Sequence, residues 1–213
     1  MLNIINKRES VIIVLHEIYG INQHLKLICE QYSAAGYNVL CPNFVKSGDY
    51  FDYSREEEAY QYYIEHIGFD SMVDEVKSIL LKARIDYKYV FLLGFSVGAT
   101  SAWICSGLEN SVDGIICYYG SRIRDYKDIT PNCPVLLIFA KEETSFNVLE
   151  LTSSLGQKKF VNVHVLNGKH GFSDPFSNRY NEQLQQTAQD LVDRFLGVLY
   201  NNLDIFPEKG GVY

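Results

Sequence analysis

Short apolar runs alternate with helical patterns along most of the chain. The runs are rich in β-branched and aromatic residues, as buried strands are, and they span residues 11–15, 37–41, 89–93, 114–118, 135–139 and 161–166. Between them, apolar residues recur at helical spacing in segments 23–35, 71–83, 97–106, 146–155 and 178–201. This alternation predicts an α/β fold, with a mostly parallel sheet covered by helices on both faces.

The last helical segment shows the clearest apolar face, formed by Leu184, Ala188, Leu191, Phe195 and Leu199. We expect this helix to lie across the sheet and close it. No internal repeat, low-complexity tract or Pro/Gly-rich linker divides the chain, which predicts a single domain over residues 1–213 without a large cap domain. The first predicted strand begins near residue 11, so we expect at most a minimal N-terminal hairpin.

Residues 46–68 are predicted to form an irregular insertion. The segment carries the acidic run 56–58 beside six aromatic residues, which are Tyr50, Phe51, Tyr53, Tyr60, Tyr62 and Tyr63. At the carboxyl ends of parallel strands such an excursion could wall a binding site, with Tyr60 as one candidate lining residue. Its second half equally fits an ordinary amphipathic helix with a solvated acidic face, and the sequence leaves both interpretations open.

Net charge and cysteine content narrow the classes of function. A formal charge of -7 and a pI near 5.2 disfavour nucleic-acid and membrane-surface partners. The five cysteines lie mostly in apolar runs and form no Cys-x-x-Cys motif, which is typical of reduced core residues rather than a metal site. The first apolar run is too short for a signal peptide, so we expect a cytoplasmic protein.

The segment from Gly94 to Gly98 is the strongest chemical signal in the chain. It follows the strand-like run 89–93 and precedes a helical pattern, with Ser96 at the apex of the implied turn. A residue there adopts a strained backbone, and glycine two positions before and after lets strand and helix approach closely. The turn would expose the Ser96 hydroxyl as a nucleophile and direct the Val97 N–H toward a developing oxyanion.

A base and an acid for this serine should follow it on loops after later strands, as in an α/β-hydrolase arrangement. Two histidines lie C-terminal to Ser96. His164 falls inside the strand-like run 161–166, which favours a structural role, whereas His170 follows that run in a loop and is the predicted general base. Just past the run 135–139, Glu142 and Glu143 compete as the acid that orients the imidazole.

The loop after the first central strand, residues 16–20, should supply the second oxyanion donor from a backbone N–H. His16 and Glu17 could begin a helical His-Glu-x-x-His zinc motif, but that motif needs a second histidine at position 20. Glycine stands there, so this zinc site is excluded. We therefore predict no metal.

Four motifs in this order resemble the dienelactone hydrolase (carboxymethylenebutenolidase) family of the α/β-hydrolase superfamily. They are His-Glu-Ile-Tyr-Gly at 16–20, Ala-Gly-Tyr-Asn-Val-Leu-Cys-Pro at 35–42, the turn at 94–98 and Lys-His-Gly-Phe at 169–172. The resemblance covers residues from about 11 to about 200. It implies an α/β-hydrolase fold and cleavage of lactones or esters without a cofactor.

The resemblance also implies roles for individual residues. It makes Ser96 the nucleophile, Glu143 the acid and His170 the base. It suggests the N–H groups of Ile18 and Val97 for the oxyanion hole. It further marks Glu17 as the family's buried active-site glutamate, which in typical members contacts the nucleophile in the resting state.

Two departures from the family pattern change the expected chemistry. Typical members carry cysteine where this chain has Ser96, so the histidine must remove the hydroxyl proton during attack. Asp174 stands where typical members carry an arginine that grips the substrate carboxylate, and Arg55 lies near, but out of register with, the family's other anion-binding arginine. Dienelactone itself is therefore not the expected substrate.

The sequence thus predicts a cytoplasmic serine hydrolase that acts on a small ester, thioester or lactone. One alternative is a noncatalytic ligand-binding protein that keeps the hydrolase scaffold. The other is a serine peptidase of the oligopeptidase branch, for which the 213 residues supply no additional domain to filter peptides. The sequence does not predict the oligomeric state.

Overall fold

The computed structural model describes residues 1–6, 8–45 and 50–203, and a seven-stranded sheet runs through them. The strand order is β1-β3-β2-β4-β5-β6-β7; only β1 is antiparallel to its neighbour. The predicted mostly parallel α/β-hydrolase sheet is thereby confirmed. The strands are β1 (Leu2–Ile4), β2 (Ser10–Leu15), β3 (Asn38–Cys41), β4 (Tyr89–Phe95), β5 (Gly114–Tyr118), β6 (Val135–Glu142) and β7 (Val161–Lys169).

Helices occupy the connections between the strands. They are α1 (Gln23–Ala34), α2 (Glu56–Tyr62), α3 (Gly68–Asp86), α4 (Val97–Cys105), α5 (Val148–Leu155) and α6 (Glu182–Leu203). A π-helical turn, Tyr63–Ile67, joins α2 to α3, and short 3-10 turns span Tyr53–Arg55 and Ser121–Tyr126. Among the described residues, no helix combines the length and the apolar character that crossing a bilayer requires.

The core lies on both faces of the sheet, as the uninterrupted apolar strands predict. Along β2, Ile13 packs into the cluster that contains Trp103 of α4, whereas Ile12 packs into the cluster on the opposite face with Ala188 of α6. Because successive strand residues point to opposite faces, a strand buried on both sides needs apolar residues at every position. All six residues of β2 are buried.

Among the differences from the sequence expectation, an additional strand and two shifted element ends stand out. Strand β1 was not expected, and its three residues pair antiparallel with β3 at the edge of the sheet. Strand β7 extends to Lys169, so His170 follows the strand directly. Helix α6 begins at Glu182 rather than at 178, because the preceding residues form turns; in one of them Asp174 accepts a hydrogen bond from the N–H of Phe176 at 2.9 Å.

The segment 46–68 combines the two interpretations left open by the sequence. Residues 46–49 lie outside the described residues. Its second half contains the acidic helix α2, while Tyr53 and Glu56, at the start of the described part, line the cavity described below. The segment therefore contributes both a solvated helix and part of a cavity wall.

Candidate active site

The turn between β4 and α4 has the strained geometry that the glycine spacing predicts. Ser96 lies at its apex with φ 51° and ψ -111°. A Cβ on Gly94 would lie 2.4 Å from the carbonyl oxygen of Gly98, and one on Gly98 would lie 2.4 Å from the carbonyl oxygen of Leu15. Both contacts are with backbone atoms, so no side-chain movement relieves them. Glycine at these positions is what allows α4 to start so close to the sheet.

Replacing Gly98 by alanine is expected to destabilise the fold by about 3 kcal/mol, because the added methyl group meets the backbone of β2. Urea denaturation followed by circular dichroism measures this difference. Gly197→Ala in α6 is the matched control, since no atom lies within 4 Å of its Cβ position. The control should stabilise the helix by about 0.5–1 kcal/mol. Equal stabilities for the two variants would contradict the steric explanation.

Ser96, His170 and Glu143 form a continuous hydrogen-bonded chain. The Nε2 atom of His170 lies 3.0 Å from Ser96 Oγ, and its Nδ1 atom lies 2.7 Å from Glu143 Oε1. The three residues follow the carboxyl ends of β4, β7 and β6 respectively. A carboxylate can only accept, so Nδ1 donates to Glu143 and Nε2 is left to accept the serine proton. This is the arrangement required for a histidine to act as a general base.

The structure separates the two neighbouring glutamates. Glu142 is the last residue of β6, lies exposed and pairs in register with Lys169 of β7. A β-bulge between Ala140 and Glu142 alters the alternation of side chains at this end of the strand. Glu143, one residue further, places a largely buried carboxylate against His170. The sequence alone could not distinguish them, because the bulge is a property of the β6–β7 pairing.

The buried His16 holds the loop that follows β2. Its Nε2 accepts the N–H of Phe44 at 2.9 Å, so Nδ1 carries the proton and donates to the Glu17 carbonyl at 2.5 Å. Burial lowers the pKa of His16 to about 4, which keeps the ring neutral. In a trans peptide the C=O and N–H point in opposite directions, so the Ile18 N–H is directed away from His16. This structural role of His16 was not foreseen from the sequence.

A small cavity of about 40 Å³ opens beside the nucleophile. Glu17, Ile18, Ser96, His170 and Asp174 were singled out from the sequence and all line it. The sequence did not identify the remaining lining residues, Tyr19, Tyr53, Glu56, Gly171, Ser177 and Arg179, although Tyr53 belongs to the aromatic segment expected to wall a site. Val97 follows Ser96 as the first residue of α4, where backbone N–H groups lack intrahelical acceptors.

Two further candidates do not reach the cavity. Arg55 lies exposed, and its Nε donates to Glu58 Oε2 at 2.7 Å. Tyr60 is exposed on α2. Neither residue lines the cavity. Arg55 does not form part of the cavity wall, because the carboxylate of Glu58, three residues further along the chain, pairs with its guanidinium.

Glu17 is buried at the cavity wall. Burial raises the pKa of its carboxyl to about 7, and the nearby His170 and the Tyr119 hydroxyl act in the opposite direction. Its Oε1 atom has no hydrogen-bond partner among the described residues. The resting contact with the nucleophile implied by the family resemblance is not seen at this atom, since Ser96 Oγ is hydrogen-bonded to His170 instead.

Asp174 connects the loop after β7 to neighbouring segments. It is 1% exposed and accepts hydrogen bonds from the Tyr53 hydroxyl and the Phe176 N–H. The Nδ1 atom of buried His24 lies 3.7 Å away, and burial lowers the pKa of that histidine to about 4. A buried carboxylate therefore forms part of the cavity wall.

The comparisons with known proteins point to one family. The model described as the dienelactone hydrolase family matches residues 3–199. The chain is 36% identical over 178 residues to the "Uncharacterized protein YczH" of Bacillus subtilis. The aligned region covers 83% of this chain and 87% of that protein. It is 24% identical over 129 residues to a "Putative carboxymethylenebutenolidase" of Yersinia pestis, covering 59% of this chain and 48% of that protein.

Among solved structures, the fold is similar to that of a "Putative Dienelactone Hydrolase" from Klebsiella pneumoniae. The TM-score is 0.73 at 18% sequence identity, and the match covers 91% of this chain and 87% of the other. The chain spans about half the length of the relatives named as carboxymethylenebutenolidases.

Proposed function

Because the chain belongs to the dienelactone hydrolase family, we propose that it is a serine hydrolase that cleaves a small ester, thioester or lactone. The observation that carries this proposal is the hydrogen-bonded chain from Ser96 through His170 to Glu143. Two hydrogen bonds join the nucleophile, the base and the acid in the order that proton transfer requires. A noncatalytic scaffold has no need to preserve that order.

The reaction follows from the geometry. Ser96 Oγ attacks the carbonyl carbon while its proton passes to Nε2 of His170. Glu143 accepts from Nδ1 and stabilises the imidazolium that forms. The N–H groups of Ile18 and Val97 hold the negative charge that develops on the carbonyl oxygen. His170 then returns the proton to the departing alcohol or thiol, which leaves an acyl group on Ser96.

Hydrolysis of this acyl-enzyme repeats the sequence with water. The oxygen of a water molecule attacks the acyl carbon while His170 takes a proton from that water. The proton then passes to Ser96 Oγ as the acid is released. The cavity beside Ser96 is small, about 40 Å³, which supports a small substrate. This argues against the peptidase alternative, which needs a site for an extended chain.

Labelling with a fluorophosphonate tests the proposal. Purified protein should form an adduct in which the phosphorus is bonded to Oγ of Ser96 after loss of fluoride, and mass spectrometry should locate it in the peptide that contains Gly94–Gly98. The same preparation should turn over at least one class in a panel of short p-nitrophenyl esters, aryl lactones and acyl thioesters. If the intact protein forms no adduct and turns over none of the three classes, the noncatalytic binding alternative is the correct one.

We also propose that the chain forms a single domain and acts in the cytoplasm. The buried, unbridged state of Cys29, Cys41, Cys105, Cys117 and Cys133 supports a reducing compartment. Two apolar clusters on opposite faces of one continuous sheet support the single domain.

A further inference from the structure

One buried carboxyl oxygen at the cavity wall lacks a partner. Glu17 is 6% exposed, and its Oε1 atom makes no hydrogen bond within the described part of the chain. We propose that Glu17 binds the substrate directly, and that the preferred esters carry a hydroxyl or ammonium hydrogen-bond donor on the carbon next to the scissile carbonyl. This inference rests on the proposed function and goes beyond it by naming the substrate class.

The protein already uses the neighbouring groups that could satisfy Glu17. The Tyr119 hydroxyl, which acts on the pKa of Glu17, shares a hydrogen bond of 2.9 Å with Ser173 Oγ. His170 is engaged by Ser96 and Glu143. A buried polar atom without a partner is costly, and such atoms are rare in folded proteins. A donor on the bound substrate would satisfy this one.

The position of Glu17 in the chain places that donor close to the reacting carbonyl. Glu17 directly precedes Ile18, whose N–H we assign to the oxyanion hole, and both residues line the same small cavity as Ser96. A substrate oxygen bound at Ile18 therefore has the Glu17 carboxyl as a near neighbour. The small volume favours a short acyl group, so the donor is expected on the first carbon beyond the carbonyl.

The charges around the cavity favour the same substrate class and disfavour anionic acyl groups. Three carboxyl groups line the wall, those of Glu17, Glu56 and Asp174. Within the described part of the cavity wall, Arg179 is the sole arginine or lysine, and its Nη2 atom already lies 3.0 Å from Glu56 Oε2. A carboxylate on the substrate would thus meet two acidic groups that no arginine neutralises, whereas a hydroxyl or ammonium group would find acceptors.

The ionisation of Glu17 provides a second readout. Its pKa of about 7 is raised chiefly by burial, which disfavours the charged form; the groups that face it are Tyr19, Tyr53, Tyr119, His170, Asp174 and Arg179. Above this pKa Glu17 is a carboxylate, which accepts more strongly than the neutral acid. The preference for donor-bearing esters should therefore increase as the pH rises through about 7.

The test compares matched aryl esters of propionate, 2-hydroxypropionate and the malonate half-acid, with rates corrected for spontaneous hydrolysis. For the wild type we expect kcat/KM to be roughly tenfold higher for the 2-hydroxypropionyl ester than for the propionyl ester, and lowest for the malonyl ester. Glu17→Met, which has similar length and no strong acceptor, should bring the first two values to within about twofold. Glu17→Gln should keep part of the preference but lose its increase with pH.

Fluorophosphonate labelling of each variant separates the possible failures. Normal labelling together with equal kcat/KM for the hydroxylated and plain esters in the wild type would overturn the inference and leave the proposed function standing. A preference that survives in Glu17→Met would overturn it in the same way. If Glu17→Met does not fold, Glu17→Gln decides by its pH profile, and an unchanged pH dependence would count against Glu17. Absence of both labelling and ester turnover in the wild type would overturn both proposals.

Discussion

Ser96→Ala is expected to lower kcat for ester hydrolysis by roughly 10⁴- to 10⁶-fold and to abolish fluorophosphonate labelling. Without Oγ, His170 has no hydroxyl to deprotonate, so no acyl-enzyme can form. The backbone N–H groups assigned to the oxyanion hole remain, which is why a small residual rate is expected rather than none. Single-turnover and steady-state kinetics on the best ester of the panel measure the effect.

Ser101→Ala provides the matched control for this substitution. Ser101 is a buried serine of α4, the helix that follows Ser96, and it does not line the cavity. Its replacement should leave kcat within about threefold of the wild-type value. Turnover by Ser96→Ala at a rate comparable to that of the control would show that the nucleophile is another residue or an activated water.

Glu143→Gln should reduce kcat by roughly 10²- to 10⁴-fold without unfolding the protein. The amide has nearly the same shape as the carboxylate, but it carries no charge to stabilise the imidazolium. Its NH₂ group can also donate to Nδ1 of His170, which would place the proton on Nε2 and block acceptance from Ser96. Circular dichroism spectra and melting temperatures would verify that the fold is retained.

The adjacent substitution Glu142→Gln is an internal control, because it makes the same chemical change one residue earlier on an exposed side chain. We expect a change in kcat of less than about threefold. A larger fall for Glu142→Gln than for Glu143→Gln would reverse the assignment of the acid and would require a rearrangement of the β6–β7 bulge.

The features predictable from sequence are those with a local cause. The buried strands could be recognised because a parallel strand covered on both faces is nearly continuously apolar, as β2 is from Val11 to Leu15. The turn at Ser96 could be recognised because the close approach of β4 and α4 leaves no room for a Cβ at positions 94 and 98, and both positions are glycine. Strand β1 was not predicted, because its three residues are too few to show the hydrophobic pattern that distinguishes a strand from a loop.

The cavity wall was less predictable because segments that are far apart in the sequence form it together. Arg179 falls within the segment predicted to be helical, but the helix begins only at Glu182, after turns in which Asp174 accepts from the Phe176 N–H. Tyr53 reaches the same region through its hydrogen bond to Asp174 across 121 positions of sequence. The spacing of Arg55 and Glu58 was a usable signal, since residues three apart on one helical turn are neighbours.

The hydrogen bond between Ser96 and His170 joins residues 74 positions apart, and the chain between them contributes β5, β6 and β7 to the sheet. Closing so long a loop costs chain entropy that only the completed pairing of these strands repays. We therefore expect Ser96 and His170 to come together late in folding, after β5, β6 and β7 have paired in the sheet. Recovery of labelling during refolding would thus report the assembly of the whole C-terminal half of the sheet rather than the formation of any one turn.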